Sequence, residues 1–560
     1  MSTQIEAILF DMGGTLRSTF QKTPAEKREL VQQMLALLGR EASPDEFIAL
    51  LLARGKAYKH WAETTLMELN ERDLWTKWML PDWPAEQVSA LALQLNQLYR
   101  AITGTRILFP ETPAVLLELF RRGYRLGLVS NTTSSIEARA ALKELHLTGC
   151  FEVVILSTEI GKRKPDPDLL LEATRRMGLL PEKCAYLGDR VDRDVAVARR
   201  AGFSQALILR DPRQIILEKE TGPHLRPDAV LTNLTGILEL FPPRPLPQPE
   251  VVYNASLSTM WAMTNFPTLS DFFEAARRMG FAGLELNHKV TTPMLDGIDL
   301  SRFQFSSLHE PCPADLSAAE LKKRDWLISS TDEACRQEGL RSIRRSLDLA
   351  HQVGASVLVL HAGQVAIDHD KLEKQLRALV ETGQADSKEC RFLHAQMLVL
   401  RAENEGASFE ALQKSLLELL AYAEPLGIRL GLENRYHYLE HPSPDELDLL
   451  LDLAGPDRLG FIYDVGHAEA LDRLGFYPRR EWLDRFASRL LGVHLHDVIQ
   501  TTDHYAPGLG DADFEAVAAA LPRQAFRTCE FQTFNSPEQV KAGLKLLVEK
   551  GCIHVLQARP

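Results

Sequence analysis

Short apolar runs alternate with longer stretches of helical spacing along nearly the whole chain, a rhythm that predicts an α/β protein. The first run is EAILFDMGGTL, residues 6–16, where four apolar residues lead into Asp11 and the turn Gly13-Gly14-Thr15. Residues 22–102 then follow a helical pattern rich in Leu, Ala and Glu. Strand-like runs return at 125–131, 151–157, 183–190, 205–210 and 228–233, separated by helical stretches such as SSIEARAALKEL. The expectation is a doubly wound, Rossmann-like domain over residues 1–240, with a helical cap inserted at about residues 17–105.

Residues 241–250, FPPRPLPQPE, hold five prolines and predict a stiff, extended linker. Beyond it come eight apolar runs at 251–258, 282–289, 303–310, 355–363, 428–435, 459–467, 490–498 and 526–533. Helical patterns separate them, so residues 251–560 are expected to form a (β/α)8 TIM barrel. The long interval between the fourth and fifth runs predicts an extra helical hairpin over one side of the barrel mouth.

Four late runs end in groups that bind metals: Glu433, Asp464, His494 and Glu530. Strands that close into a parallel barrel bring their C-terminal ends to one mouth, so these residues converge. Three carboxylates and one imidazole suit a single divalent ion, with Mn²⁺, Mg²⁺, Co²⁺ and Zn²⁺ all compatible. Glu433 and Glu530 on opposite sides of that ion form an acid/base pair for proton transfer next to a carbonyl. His309, His361, His467 and His504 fall at other strand ends or in mouth loops and are expected to contact substrate. His496 shares a strand face with His494 and stays open as the ligand, whereas His288, His351, His369, His437 and His441 lack such a setting.

In the first domain Asp11 is placed as a carboxylate nucleophile at a strand end. Ser130 and Asn131 end the next strand and can bind a phosphoryl oxygen, and Lys164 in GKRKPDP can neutralise its charge. Asp189 and Asp194, in GDRVDRD, can hold Mg²⁺.

Charge and composition narrow the choice. The 560 residues carry a formal charge of −12, and residues 251–560 alone hold 32 Lys+Arg against 44 Asp+Glu, so all of the excess lies there. A surface for duplex nucleic acid has the opposite sign. No run approaches the roughly 18 apolar residues of a membrane span. The start, MSTQIEAILF, has no basic leader pattern, so a cytoplasmic protein is expected. Seven scattered cysteines without C-x-x-C argue against a disulfide framework and a cysteine-rich zinc site.

The set DMGGT, SN, K-P and GDRVDRD resembles the haloacid dehalogenase-like hydrolases, over residues 5 to about 235. The resemblance implies Asp11 as nucleophile and metal ligand, with Asp189 and Asp194 around Mg²⁺. Family phosphatases carry a second Asp two residues after the nucleophile; here that position is Gly13. General acid catalysis is worth about 10²–10⁴-fold, so leaving-group expulsion should slow.

The set GLEN, YDVGH, VHLHD with PGLG behind it, and CEF resembles the xylose isomerase-like barrels, over residues 251–550. This resemblance implies a metal-dependent isomerase or epimerase acting on a sugar or sugar phosphate, and a bifunctional protein of carbohydrate metabolism. A homo-oligomer is compatible with it. One alternative is an endonuclease IV-like enzyme, whose extra metal ligands would fall at His309, His361, His467 and the loop after strand seven. In that loop, TTDHYAPGLG, Asp503 and His504 are adjacent and Leu509 stands where the nuclease has Glu. Another alternative is a sensor that binds ligand without turnover.

Overall fold

The computed structural model describes residues 4–214, 216, 218–222, 225–365 and 370–558. His369 and the first three residues lie outside them. The chain divides into two compact units, residues 1–247 and 248–560. Among the described residues no helix is long and apolar enough to cross a membrane. None of the seven cysteines forms a disulfide.

The first unit is built on β1 (Ala7–Phe10), β4 (Arg125–Ser130), β5 (Phe151–Leu156), β6 (Cys184–Gly188), β7 (Gln205–Leu209) and β8 (Ala229–Leu231). They form one parallel sheet in the order β5-β4-β1-β6-β7-β8. The chain leaves β1 for one side and later returns on the other, so a crevice opens at the C-terminal end of β1 beside β6. All four residues of β1 are buried, as a central parallel strand requires. Between β1 and β4 a two-stranded ribbon, β2 (Arg17–Phe20) with β3 (Thr105–Leu108), carries the cap helices. Pro24–Leu37 starts with a Thr23–Glu26 capping box, and Pro44–Thr65 is capped by Ser43. The cap has its own core around Trp75, Tyr58, Leu51 and Leu95.

The proline-rich segment differs from a free linker in its first half. Phe241 is buried against Tyr124, whose hydroxyl donates to Pro242 O at 2.9 Å, and Arg244 donates to Ile5 O at 2.8 Å. Proline supplies carbonyls for these bonds and no competing N–H.

The second unit is a closed barrel of eight parallel strands: β9 (Val251–Ser258), β10 (Phe281–Leu286), β11 (Phe305–His309), β12 (Val357–Leu360), β13 (Arg429–Glu433), β14 (Leu459–Asp464), β15 (Leu490–Leu495) and β18 (Phe526–Cys529). β10 pairs with β9 and β18 pairs with β9, which closes the ring. β16 (Asp497–Ile499) and β17 (Thr502–Tyr505) form a hairpin in the loop after β15. β19 (Val555–Ala558) adds antiparallel to the start of β9. The outer helices bury one face each; Leu269–Met279 runs from its Thr268 cap to Gly280 and turns Phe272, Phe273 and Ala276 inward.

The expected helical hairpin is helix Asp370–Glu381 followed by the 36-residue helix Lys388–Ala423. Arg377 fastens it to the mouth loops by donating to Thr501 O at 3.3 Å and Tyr436 O at 2.7 Å. Glu373 accepts from Arg377 and lies 2.9 Å from His437 Nδ1. Burial would raise Glu373, but His437 and Arg377 bring it from 4.5 down to about 2. Burial would lower His437, but Glu373 raises it above 6.5. The Glu373 contribution is therefore complete above pH 4.5 and lost as pH falls toward 2, while the His437 contribution is complete below pH 6.5 and lost above it. Protection of residues 371–381 from hydrogen exchange, relative to the intrinsic rate at each pH, should be greatest between those limits, and Glu373→Gln should flatten the acid limb of that profile.

Candidate active sites

In the barrel, Glu433 and Asp464 are the last residues of β13 and β14, His494 is in β15, and Glu530 follows β18. The parallel register sets Asp464 beside His494. His494 Nδ1 lies 2.8 Å from Glu433 Oε1, 3.1 Å from Glu530 Oε2 and 3.6 Å from Asp464 Oδ2. Glu433 Oε1 and His494 Nδ1 are both buried and neither makes a hydrogen bond, despite their separation. Ligand atoms about 2.1 Å from one ion and at right angles to each other stand about 3 Å apart, so these orphaned atoms fit a divalent metal.

The other ring nitrogen, Nε2, donates to Glu285 Oε2 at 3.1 Å, and Ser307 donates to the same oxygen at 2.6 Å. A carboxylate behind a ligating histidine fixes its tautomer and raises its basicity. Burial would lower His494, but Glu285 and Glu530 raise it well above its ordinary value. Burial would raise both Glu433 and Glu530; neighbouring histidines, His309 for the first and His494 and His504 for the second, hold them well below the usual carboxylate range.

Asp464 has several partners. Its Oδ1 caps helix Val465–Arg473 by accepting from His467 N at 2.7 Å. His496 Nε2 lies 3.0 Å from both its oxygens, while His496 Nδ1 accepts from His504 N at 2.9 Å. With both nitrogens engaged, His496 is a hydrogen-bond partner of Asp464, and His494 is left as the ligand. Gly466 permits this contact, since a Cβ there would fall 2.1 Å from His496 Cε1.

The four expected substrate histidines do gather at the mouth. His309, His361, His467 and His504 line a cavity of about 410 Å³ together with Trp326, Arg435, Tyr436 and Glu530. His361 Nε2 is 3.3 Å and His309 Nε2 3.6 Å from Glu433 Oε2. Burial would lower His309, but Glu433 carries it up to about 8. His467 Nδ1 bonds Asn434 O at 2.9 Å, which leaves Nε2 facing Asp503 at 3.6 Å. His504 has φ +61°, a strained region for a non-glycine residue, and lies 2.8 Å from Asp503 through Nδ1. Leu509 is 39% exposed and adds nothing to the site.

Four residues of this site carry roles the sequence reading did not assign. Glu285 holds His494. Arg435 donates to Glu433 Oε2 at 2.7 Å and to Glu440 at 3.1 Å. Asn434 joins adjacent strands through Asp464, donating to its carbonyl at 2.9 Å and accepting from its N–H at 2.8 Å. Asp497 accepts from the backbone N–H of Gly508, Gly510 and Ala512 at 2.8–3.0 Å, which shapes the PGLG loop.

In the first unit Asp11 follows β1, and Lys164 Nζ donates to its Oδ1 at 2.7 Å. Lys164 also reaches Asp194 at 3.0 Å, Tyr186 Oη at 2.6 Å and Val129 O at 3.1 Å. Asn131 exchanges two hydrogen bonds with the Lys164 main chain, at 2.8 and 3.1 Å, so it positions Lys164. That differs from the phosphoryl contact expected of it. Ser130 is buried at the end of β4. Gly14 has φ +82°, and a Cβ there would lie 2.2 Å from Asp189 Oδ2. At Gly13 a Cβ would meet nothing within 4 Å.

Asp11, Asp189 and Asp194 converge as expected, but Arg193 Nη2 lies among them, at 2.9, 2.6 and 2.8 Å from one oxygen of each. As arranged, these residues do not fit Mg²⁺. Burial raises Asp189 to about 7, and the neighbouring Asp194 and Asp11 add to it against Arg193. Burial would raise Asp194 too, but Arg193 and Lys164 hold it below its ordinary value.

A model of the haloacid dehalogenase-like hydrolases matches residues 5–202, and a model of the xylose isomerase-like TIM barrels matches residues 273–550. The chain is a haloacid dehalogenase-like hydrolase fused to a xylose isomerase-like TIM barrel. Phosphoserine phosphatase of Thermus thermophilus is 30% identical over 248 residues, covering 40% of this chain and 95% of that protein. Glyceraldehyde 3-phosphate phosphatase of Methanopyrus kandleri is 28% identical over 216 residues, covering 38% and 86%. A solved D-tagatose 3-epimerase-like protein is 18% identical, covers 53% of this chain and 98% of its own, and gives a TM-score of 0.37.

Removing the support behind the barrel imidazole tests its part in metal binding. Glu285→Gln should weaken divalent-ion affinity by about 10–100-fold, measured by competition with a chromogenic chelator, with little change in the circular dichroism spectrum.

Proposed function

We propose that the barrel is a metal-dependent isomerase or epimerase acting on a sugar or sugar phosphate. One observation carries this reading: Glu433 and Glu530 approach one buried imidazole nitrogen, His494 Nδ1, at 2.8 and 3.1 Å. Glu433, Asp464, His494 and Glu530 would hold a single divalent ion, which supplies Lewis-acid polarisation of the substrate oxygens. Both glutamates are held ionised at neutral pH, the form a base needs. One removes the proton beside the substrate carbonyl and the other returns it to the same or the adjacent carbon. Ser258 lies 3.4 Å from Glu530 Oε1, and Arg435 holds Glu433 Oε2, so each base has one oxygen anchored. The cavity of about 410 Å³ suits a small ligand, and the −12 charge of residues 251–560 disfavours a polyphosphate chain.

The test is incubation with Mn²⁺ and a panel of sugars and sugar phosphates in D₂O. Deuterium is expected at the carbon next to the carbonyl of at least one member, and Glu530→Gln should slow its entry by about 10²–10⁴-fold. No exchange with any member would sink this reading.

An endonuclease-like reading is favoured by a different observation. His309–His361–Glu433 and His467–Asp503–His504 are further groups competent to hold metal, on either side of the central four. Metal analysis separates the two: one ion per barrel supports the isomerase, and three zinc ions with cleavage of an abasic-site duplex support the nuclease.

For the hydrolase unit we propose phosphoester cleavage through Asp11. An Asp11 oxygen attacks phosphorus, the ester oxygen departs with the electron pair of the broken bond, and water later hydrolyses the aspartyl phosphate. Gly13 offers the departing oxygen no proton, so the two units would share sugar-phosphate chemistry with a slow hydrolytic step. Open space at position 13 permits repair. Gly13→Asp should speed hydrolysis of alkyl phosphates by about 10²–10⁴-fold, with far less effect on p-nitrophenyl phosphate, whose leaving group needs no proton. Phosphate release measures both.

A further inference from the structure

The three carboxylates of the hydrolase unit are surrounded more tightly than an ion site requires. Arg193 Nη2 is within 2.9 Å of Asp11 Oδ2, Asp189 Oδ1 and Asp194 Oδ2, and Arg193 Nε lies 3.2 Å from both oxygens of Asp194. Lys164 Nζ touches Asp11 and Asp194 from the other side. A Mg²⁺ ion binding these carboxylates would stand about 2.0–2.1 Å from its oxygens, in the volume the guanidinium nitrogen fills. The two cations cannot be there together.

Charge points the same way. Three carboxylates against Lys164 and Arg193 leave one net negative charge, so the cluster is nearly neutralised by the chain itself. The segment that carries Arg193 is also fastened. Glu218 accepts from Val191 N at 2.8 Å and from Arg210 at 2.7 Å, Asp192 accepts from Arg190 Nε at 2.9 Å, and Asp194 accepts from Arg190 N at 3.1 Å. The guanidinium is thus aimed into the cluster by a braced backbone.

We infer that Arg193 takes the place of the divalent ion in the hydrolase unit. It is a built-in cation that keeps Asp11, Asp189 and Asp194 together and excludes metal from them. The inference rests on these three carboxylates forming the unit's phosphoryl site, but not on that site turning over. Its ligand class follows: the unit accepts a phosphorylated substrate as the free anion, not as its metal complex.

Counting bound Mn²⁺ by electron paramagnetic resonance in the full-length protein tests this without any assay of activity. Wild type and Asp189→Asn should bind the same number of ions, all of them in the barrel. Arg193→Asn should bind one more, and Arg193→Asn/Asp189→Asn should lose it again. If Asp189→Asn removes an ion from otherwise wild-type protein, Arg193 does not exclude metal and the inference is overturned. That comparison stands even if Arg193→Asn fails to fold. An Arg193→Asn protein that folds, retains its barrel ions and gains none also overturns it. Absence of phosphatase activity in the wild type, with the expected ion counts, would refute only the catalytic reading of the unit.

Discussion

Burying several carboxylates in one place is the constraint on which both sites depend. Desolvation and mutual repulsion together drive such groups toward the neutral form, unless cations come with them. In the barrel, Glu433, Asp464 and Glu530 are almost wholly buried around His494, with Glu285 behind it. Arg435, His309 and His361 face Glu433. Even so, Glu433 Oε1 and His494 Nδ1 remain without hydrogen bonds. A buried polar atom left unpaired costs about 1–3 kcal/mol, and a divalent ion would satisfy both at once. In the hydrolase unit the cations are covalently part of the chain, Lys164 and Arg193.

Much of the barrel's local structure follows from keeping that cluster in place. Asn434 ties the ends of β13 and β14 by bonding its side-chain amide to the main chain of Asp464, which sets Glu433 against Asp464. The Asp464 cap starts a helix whose first turn brings His467 over the site, and the positive end of that helix favours the carboxylate. The loop after β15 closes on Asp497, with three backbone N–H groups pointing at one side chain, and so holds Asp503 and His504 at the rim. A mouth built from loops can vary in chemistry while the strands that fix its ligands stay the same.

The eight-strand rhythm was legible because parallel strands buried on both faces read as continuous apolar runs, and because a ligand at a strand's end stands where the run breaks. Glu433, Asp464 and Glu530 are such breaks. Glu285 is not: it sits inside LELN, with Leu284 and Leu286 around it, and looks like the outward residue of a half-exposed strand. In a closed barrel the inward face can be the polar one, so alternation alone does not single Glu285 out. His494 and His496 share a strand period, and the ambiguity ends because His496, one residue past β15, has both ring nitrogens engaged by Asp464 and His504 N. Arg193 was hidden by its neighbours. In GDRVDRD, three Asp and two Arg within seven residues read as a solvated, self-paired loop, and only side-chain direction separates Arg190, which pairs with Asp192, from Arg193, which turns inward.

The two units therefore meet one electrostatic demand in opposite ways, and their chemistry differs accordingly. A guanidinium is planar, always charged and donates hydrogen bonds in fixed directions, so it steadies carboxylates and phosphoryl oxygens without acting as a Lewis acid. A divalent ion takes oxygen ligands into its coordination shell and polarises them, which eases proton transfer beside a carbonyl. The barrel leaves two buried ligand atoms unpaired for such an ion, and its imidazole is braced from behind by Glu285. The hydrolase unit leaves no such gap among its three carboxylates, and at Gly13 it also lacks a proton donor. Unpaired ligand atoms are thus found in the barrel cluster, while the carboxylates of the hydrolase unit are paired by Lys164 and Arg193.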